Sequence, residues 1–319
     1  MTHSPMTHSP IDVLVREVGL RDGLQNTATI VPTEGKLAWI VAELAAGVRE
    51  IEVTSFVPPK LMPQFADAEE VVSRALNLSG LTLMALAPNL RGAERAFALG
   101  VHKVDYVTSV SRTHNRKNVR REREESLADF VRIVQARDAA GLKGHIELAA
   151  GLSTAMGCSY EGRIAVDEVR RCAAFLAEAG ADEIMIADTV GYADPRQVGE
   201  LFAKAREVAG DKLGCGHFHD TRGLGLVNVM AALQAGESRF DACLAGIGGC
   251  PQAAGASGNV ATEDWAYLMA SMGIDTGIDF GQLIALRAQV AQWLAGESLH
   301  GSIAQAGLPK TLRATEVTA

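Results

Sequence analysis

Short apolar runs alternate with longer amphipathic segments along almost the whole chain. Apolar runs of about four to eight residues bounded by turn residues predict buried β-strands, whereas apolar positions that recur every three or four residues predict helices. The predicted strands cover residues 13–19, 50–55, 81–86, 104–109, 144–148, 183–187, 213–219 and 240–246. The predicted helices lie near residues 34–46, 66–76, 89–99, 124–140, 165–179, 195–208, 224–235 and 262–272.

This repeated pairing of strand and helix predicts an α/β fold, a (β/α)8 TIM barrel with extra C-terminal helices. An open doubly wound sheet is the alternative, but eight regular units within about 260 residues favour closure. Residues 11–300 form the predicted barrel domain, in which residues 279–296 add one or two helices. Residues 1–10 repeat one short segment and are predicted as a disordered tail, and residues 301–319 as a C-terminal tail.

Composition narrows the classes of partner. The chain has 319 residues, of which 48% are hydrophobic and 21% charged, a normal balance for a soluble globular protein. Its net charge of −8 argues against nucleic acid or an anionic membrane as the main partner. No apolar run reaches the ~18 residues of a transmembrane helix. The five cysteines lack paired or zinc-like spacing, and the N-terminus lacks a signal or transit pattern, so a reducing cytoplasm is expected.

Polar residues of several chemical types fall where the predicted strands end. In a TIM barrel the C-terminal ends of the strands form the rim that carries the active site. The residues expected on this rim are Arg21 and Asp22 after strand 1, Glu52 and Ser55 at strand 2, His217 and His219 at strand 7, and Cys250 and Asn259 after strand 8. A scattered surface distribution would not bring these groups together, so we expect a functional site here.

The two histidines that end strand 7 indicate a metal site. Side chains on a strand alternate between its faces, so His217 and His219 point the same way. Strands 7, 8 and 1 are neighbours in a closed barrel, which lets Asp22 add a carboxylate and Asn259 an amide oxygen. This donor set suits Mg2+ or Mn2+, with Zn2+ or Co2+ as alternatives. Simpler interpretations are two ordinary histidines, a turn residue at Asp22 and a helix N-cap at Asn259.

Three further features supply candidate catalytic groups. The Arg21 guanidinium can polarise a carbonyl or thioester oxygen as negative charge develops, and Glu52 can orient it or transfer protons. The loop 246–259 contains five glycines, so it can close over a substrate and bring Cys250 into proton transfer. The alternatives are a salt bridge at Arg21 and an inert thiol at Cys250. A basic run within 112–123 is either a patch that attracts an anion or a solvated helix start.

Three segments resemble the 3-hydroxy-3-methylglutaryl-CoA (HMG-CoA) lyase family. Residues 17–26, Glu-Val-Gly-Leu-Arg-Asp-Gly-Leu-Gln-Asn, strongly resemble its opening motif, and residues 52–57 resemble its second-strand motif. Residues 248–264 resemble its loop of glycines around a cysteine. The resemblance covers roughly residues 12–300, and it implies a TIM barrel of the metal-dependent lyase and Claisen-synthase superfamily.

The resemblance implies a divalent-metal-dependent lyase that splits HMG-CoA into acetyl-CoA and acetoacetate. The metal ligands implied by motif position, for Mg2+ or Mn2+, are Asp22, His217, His219 and Asn259. The catalytic residues implied in the same way are Arg21, Glu52, Cys250 and, for proton transfer, His217. A homodimer is expected from the resemblance alone, with an acyl-CoA as the substrate.

The resemblance is weaker at positions near the expected acyl pocket. Arg222 and Leu224 stand where the family usually has Tyr and Gln, residues 145–156 form a longer segment, and Met185 replaces a small polar residue. Alternative substrates are therefore citramalyl-CoA or a longer 3-hydroxy-3-carboxymethyl acyl-CoA. A Claisen synthase and a barrel that binds acyl-CoA without turnover are further alternatives. The Cys250 loop argues against the synthase, and the intact ligand set argues against mere binding.

Overall fold

The computed structural model describes residues 12–249 and 258–310, and a closed barrel of eight parallel strands forms its centre. The strands follow chain order around the barrel, which closes where Val15 and Arg16 of the first strand pair with Phe240 and Asp241 of the last. The strands are β1 Leu14–Glu17, β2 Glu50–Ser55, β3 Thr82–Leu86, β4 Lys103–Ser109, β5 Glu147–Ser153, β6 Glu183–Asp188, β7 Leu213–Phe218 and β8 Arg239–Ala242. The predicted (β/α)8 barrel is confirmed.

Helices surround the barrel and extend beyond it at the C-terminal end. They are α1 Thr33–Ala45, α2 Ala68–Ala75, α3 Leu90–Leu99, α4 Arg112–Val119, α5 Arg123–Ala139, α6 Val166–Ala179, α7 Pro195–Ala209, α8 Gly225–Gln234, α9 Thr262–Ser271, α10 Phe280–Trp293 and α11 Ile303–Ala306. The added helix α10 packs on α1, where the rings of Trp293 and Trp39 stack with centroids 6.2 Å apart. None of the helices in the described ranges is both long and apolar enough to cross a membrane.

Strand β5 lies later in the chain than the hydrophobic pattern predicts. It covers Glu147–Ser153 instead of residues 144–148, because the N–H of Ile146 bonds back to the Leu142 carbonyl in the turn after α5. The strand contains two alanines and a glycine, which have low β-propensity and weaken the pattern. All seven of its residues nevertheless pair with β4, so tertiary pairing determines the strand.

The first part of the basic run after β4 forms a separate helix, α4, that the pattern did not resolve, and the run ends at the start of α5. Ser111 caps α4 by accepting the N–H of His114 at 3.1 Å. Four of the cations pair with nearby carboxylates: Arg112 with Glu124, Arg116 with Glu122, Arg121 with Asp129, and Arg123 with Glu168. These ion pairs favour the interpretation as a solvated helix over an open patch that attracts anions.

The barrel interior is charged below the rim. Arg16 on β1 donates to Asp241 on β8 at 2.6 Å and to Glu183 on β6 at 2.7 Å. Lys103 on β4 donates to Glu50 at 2.9 Å and to Glu183 at 3.0 Å. All five side chains are buried, where a charge is tolerated only with partners of this kind. The network holds Asp241 from below, and Asp241 in turn faces the rim.

Candidate active site

One turn of π-helix, Gly19–Gly23, follows β1 and carries Arg21 and Asp22. The N–H of Gly23 bonds to the carbonyl of Val18, five residues earlier, at 3.1 Å. Such turns are rare and are frequently found at functional sites. Arg21 and Asp22 are only 7% and 6% exposed, so the turn places two charged side chains inside the rim.

Asp22, His217 and His219 form a buried cluster with the spacing of metal ligands. One candidate ligand atom from each residue lies within 4.8 Å of the other two. The two imidazole centroids are 4.9 Å apart, as expected for alternate residues at the end of one strand. Nε2 of His219 lies 3.7 Å from Oδ2 of Asp22, which is too long for a direct hydrogen bond. The spacing suits two ligands of one ion.

Asn259 joins this cluster from the segment after β8. Its Nδ2 donates to Oδ2 of Asp22 at 2.6 Å and to the Ile247 carbonyl at 3.2 Å. Its Oδ1 is buried and accepts no hydrogen bond from any described residue. The N-cap interpretation is wrong, because α9 begins at Thr262 with Ala261 in the cap position. The amide oxygen therefore remains available to a ligand.

Buried polar atoms without partners indicate that the cluster fits a cation. Within the described residues, both ring nitrogens of His219 and Oδ1 of Asn259 have no hydrogen-bond partner. Native proteins rarely bury such atoms unpaired, because the lost hydration is costly. A divalent cation would satisfy acceptor atoms of both residues. One carboxylate, two imidazoles and one amide oxygen form a donor set that accommodates Mg2+ or Mn2+.

Asp241 supports His217 from behind the cluster. Oδ2 of Asp241 lies 2.9 Å from Nδ1 of His217, which leaves Nε2 of the ring for a ligand. Metal-binding histidines commonly have a carboxylate partner of this kind, which fixes the ring and its tautomer. Burial opposes a charge on the ring, but Asp241 outweighs it and raises the pKa of His217.

Arg21 bridges two carboxylates across the rim. Its Nε donates to Oε2 of Glu52 at 2.5 Å, and its Nη1 donates to Oδ1 of Asp22 at 2.8 Å. The salt-bridge interpretation of Arg21 therefore holds, and the same bridges fix its guanidinium beside the metal cluster. Glu52 orients Arg21 in this arrangement. Ser55 ends the same strand, but its hydroxyl accepts the N–H of Val57 instead of reaching the cluster.

The two carboxyls bonded to Arg21 have different protonation behaviour. Burial favours the neutral acid at Asp22, but Arg21 and the two histidines outweigh it and hold the pKa of Asp22 far below its usual range. Burial raises the pKa of Glu52 to about 8, against the opposing effect of Arg21. Asp22 is thus suited to be an ionised ligand, whereas Glu52 can hold or release a proton near neutral pH.

Sequence reasoning missed two carboxylates of the barrel interior. Asp241 lies in β8, and Asp105 lies in β4 with a buried Oδ1 that has no partner in the described ranges. Burial raises the pKa of Asp105 to about 6. A signal for both existed in the sequence, because each is an acidic residue within a strand buried on both faces. Gln25, also missed, donates to Oδ1 of Asp22 at 2.6 Å.

The proposed catalytic Cys250 lies outside the described residues, together with residues 251–257 of its loop. The described start of the loop approaches the cluster at Gly248, which has φ +106°. A Cβ at Gly248 would lie 2.7 Å from Nδ2 of Asn259 and 3.2 Å from Oδ2 of Asp22, so only glycine fits this close approach. A cavity of about 360 Å³ lies beside this point, between residues 23–27, 247–248 and 297–300.

Three single residues that depart from the family pattern, Met185, Arg222 and Leu224, lie in two places. Met185 is buried in the barrel interior, with its sulfur 3.1 Å from a guanidinium nitrogen of Arg16. Arg222 and Leu224 are exposed in the loop after β7. The guanidinium carbon of Arg222 lies 4.5 Å from the ring centre of Tyr192, and Arg222 also donates to two carbonyls of the loop after β6. It therefore connects two loops at the rim.

The relatives of this chain include several hydroxymethylglutaryl-CoA lyases. A family model described as HMGL-like matches residues 13–290. The hydroxymethylglutaryl-CoA lyase of Bacillus subtilis is 39% identical over 286 residues, which cover 89% of this chain and 93% of that protein. The mitochondrial hydroxymethylglutaryl-CoA lyase of Mus musculus is 39% identical over 304 residues, which cover 95% and 92%.

Solved structures agree with these sequence relatives. The HMG-CoA lyase from Acinetobacter baumannii, in complex with coenzyme A and 3-methylmalate, matches with a TM-score of 0.88 at 38% identity, covering 94% of this chain and 97% of that one. The carboxyl transferase domain of Rhizobium etli pyruvate carboxylase matches with a TM-score of 0.64 at 19% identity, a likeness that shows the fold alone. The family resemblance read from the motifs is confirmed, and this chain belongs to the HMGL-like family.

Proposed function

We propose that this protein is a carbon–carbon lyase that cleaves HMG-CoA into acetyl-CoA and acetoacetate with the help of a divalent cation. The observation that carries the proposal is the convergence of Arg21 with the cluster of Asp22, His217 and His219, all of them buried at one rim of the barrel. The relatives in Bacillus subtilis and mouse support the substrate, since both are HMG-CoA lyases that align with at least 89% of this chain.

The reaction sets three demands on the site. The proton of the 3-hydroxyl leaves, the bond between C2 and C3 breaks, and C3 becomes the keto carbon of acetoacetate. The electron pair of that bond passes into the thioester as an enolate, which takes up a proton at C2 to give acetyl-CoA. The site must therefore remove one proton, stabilise one developing negative charge and return one proton.

Arg21 meets the demand for charge stabilisation in this proposal. Its bonds to Glu52 and Asp22 fix the guanidinium before any substrate arrives. Nη2 donates to none of the described residues, so it remains available to the enolate oxygen. A donor that is positioned in advance and shielded from water stabilises developing charge strongly, because it does not have to reorganise during the reaction.

Proton transfer is assigned to three groups. His217 is the first candidate to take the hydroxyl proton, since Asp241 stabilises the protonated ring. Nδ1 is bonded to Asp241, so His217 would take this proton at Nε2 only while that nitrogen is not bound to the cation. Glu52 has a pKa raised by burial to about 8 and is the second candidate carrier. Cys250, which lies beyond the described residues, is proposed to return the proton to C2, because its loop begins against the cluster.

The proposed cation is Mg2+ or Mn2+, held by the two histidines together with Asp22 and Asn259. When bound, it would lower the pKa of the substrate hydroxyl and neutralise charge on the substrate oxygens. The support for this assignment is the donor chemistry and the unpartnered Oδ1 of Asn259 and ring nitrogens of His219 within the described ranges.

The test incubates purified protein with HMG-CoA and either Mg2+ or Mn2+, and measures acetoacetate and acetyl-CoA. The expected result is equal amounts of both products, loss of activity with EDTA and recovery when metal is restored. Citramalyl-CoA is supplied in a parallel reaction. Cleavage of citramalyl-CoA alone would replace the substrate and keep the lyase chemistry, whereas no cleavage of either thioester would overturn the proposal.

We also propose a cytoplasmic homodimer. The four described cysteines are free, which suits a reducing compartment. The expectation of a dimer comes from the family resemblance. Sedimentation equilibrium should give twice the chain mass of 33.7 kDa, and a mass of one chain would contradict the dimer.

A further inference from the structure

The carboxylate of Glu17 contacts three separate segments that lead to the candidate site. Glu17 is the last residue of β1 and is completely buried. Its Oε1 accepts the N–H of Gly19 at 2.8 Å and the N–H of Leu244 at 2.9 Å. Its Oε2 accepts the hydroxyl of Thr262. One side chain therefore joins parts of the chain that are more than 220 positions apart in sequence.

Each of these partners begins or borders a segment with a site residue. Gly19 is the first residue of the π-helical turn that carries Arg21 and Asp22. Leu244 opens the short 3-10 turn that leads into the glycine-rich loop. Thr262 starts helix α9, three positions after Asn259. The carboxylate thus sits behind the rim at the point where all three segments meet.

The packing around Glu17 leaves little freedom in this arrangement. A Cβ at Gly19 would lie 2.6 Å from Oε1 of Glu17 and 3.0 Å from the ring of Trp39, so the turn can approach the carboxylate only because residue 19 is glycine. Two backbone N–H groups donate to one oxygen of Glu17, and such hydrogen bonds are directional and fix the donor backbone in place. Losing the acceptor would leave two buried N–H groups unpaired, and the segments that contain them would shift.

We infer that Glu17 is a positioning residue, which sets the distance between Asp22 and Asn259 through its bonds to Gly19, Leu244 and Thr262. The link between Glu17 and catalysis rests on the proposed function, whereas the effect of Glu17 on the metal cluster does not depend on the substrate. Glu17 itself belongs to neither the ligand set nor the groups assigned to proton transfer. It acts by holding the backbone on both sides of the Asp22–Asn259 contact.

Glu43 offers a matched control within the same buried region. It lies on α1, is as completely buried as Glu17, and accepts the indole N–H of Trp39 in its own helix. None of its hydrogen bonds among the described residues reaches the π-helical turn, the glycine-rich loop or α9. Replacing Glu43 therefore tests the loss of a buried carboxyl group that lies near Glu17 but makes no hydrogen bond to a segment of the site.

The experiment compares Glu17→Ala, Glu17→Gln and Glu43→Gln by thermal melting, by Mn2+ binding followed with EPR, and by kcat and KM on HMG-CoA. We expect Glu17→Ala to weaken Mn2+ binding by about 100-fold and to lower kcat more than it raises KM, because outer contacts of this kind typically contribute 10–100-fold. Glu17→Gln should recover most of the loss, since its amide oxygen still accepts an N–H and its NH2 can donate to Thr262. Glu43→Gln should melt earlier while binding Mn2+ within about twofold of wild type.

Two results would overturn the inference. The first is a folded Glu17→Ala variant that binds Mn2+ within twofold of wild type. The second is a Glu43→Gln variant that loses as much Mn2+ affinity as Glu17→Ala and melts at the same temperature as Glu17→Ala. If Glu17→Ala does not fold, Thr262→Val decides, because it removes one of the three bonds to Glu17 and keeps the side-chain shape. A loss of Mn2+ affinity at nearly unchanged melting temperature supports the inference, and unchanged affinity refutes it. Failure of the wild type to cleave HMG-CoA would reject the proposed substrate and leave the Mn2+ comparison valid.

Discussion

Nδ1 of His217 lies 2.9 Å from one carboxylate oxygen of Asp241, and the other oxygen of Asp241 accepts Nε of Arg16 at 2.6 Å. The carboxylate thus connects a rim histidine to the ion pairs of the barrel interior. Burial alone would raise the pKa of Asp241, but Arg16 and His217 hold that pKa well below its usual range. An ionised Asp241 keeps the proton on Nδ1 of His217 and leaves Nε2 directed to the cluster.

Asp241→Asn should separate the geometry of this contact from its charge. The amide keeps the shape of the side chain, but it no longer favours the His217 tautomer with the proton on Nδ1. We expect Mn2+ affinity and turnover each to fall by about 10–100-fold, as is typical for partners of metal-binding histidines. Isothermal titration calorimetry and steady-state kinetics measure the two effects. The control is Glu237→Gln, which removes a buried carboxylate just before β8 and should leave Mn2+ affinity and turnover within about twofold of wild type. Equal losses in Asp241→Asn and Glu237→Gln would contradict the role of Asp241.

Arg21→Gln should reduce turnover by about 10³-fold, because it removes the guanidinium to which the proposal assigns stabilisation of the enolate oxygen. The loss should appear in kcat, measured by acetoacetate formation. Arg74→Gln removes an exposed guanidinium that pairs with Glu34 and should have almost no effect. Near-normal turnover in Arg21→Gln would exclude Arg21 from the chemical step.

His219→Ala should deplete the metal. The ring nitrogens of His219 have no partner among the described residues, so its removal breaks no protein hydrogen bond and takes away a ligand. We expect purified His219→Ala to contain far less than one equivalent of Mn2+ by plasma mass spectrometry under conditions that saturate the wild type. His145→Ala removes an exposed histidine and is the control. Undiminished metal content in His219→Ala would reject this ligand.

His114 should make stability depend on pH. Its Nδ1 lies 2.8 Å from the hydroxyl of Ser109, and burial lowers the pKa of His114 to about 4. In the unfolded chain the pKa is about 6.5, so between these values the unfolded state binds a proton that the folded state excludes. The contribution of neutral His114 to the free energy of unfolding is therefore complete above pH 6.5. As the pH falls toward 4, the free energy of unfolding decreases by at most about 3 kcal/mol.

Urea unfolding at pH 7 and pH 4.5 tests this sign. The free energy of unfolding of the wild type should fall more steeply toward acid pH than that of His114→Gln, which cannot take up the proton. His145→Gln should keep the wild-type slope, because it removes an exposed ring and leaves His114 in place. Parallel slopes for wild type and His114→Gln would show that His114 does not control this transition.

Much of the fold follows from the local pattern, because most strands contain a short apolar run and most helices have an apolar face. The exception at β5 is instructive: Ala149, Ala150 and Gly151 form a strand because β4 offers seven partners, a long-range effect that no local window contains. Helix α4 was obscured for the opposite reason, since its eight residues are almost entirely polar.

The candidate site was predictable where strand ends carry reactive side chains, as at Asp22 and His219. It was less predictable inside the barrel. Asp241 and Asp105 lie mid-strand, and the Arg16 guanidinium that acts electrostatically on both belongs to β1, so their significance depends on which residues share the interior. The double pairing of Arg21 with Glu52 and Asp22 likewise depends on the π-helical turn, which has no sequence signature of its own.

The charged interior of the barrel limits how this protein can be redesigned. Replacing buried ion pairs such as those of Arg16 with well-packed apolar side chains often stabilises a protein. Here that exchange would also release Asp241 from below and so loosen the ring of His217. Variants selected for heat resistance alone should therefore lose metal affinity when substitutions reach Arg16, whereas changes to the exposed ion pairs of α4 should leave turnover unchanged.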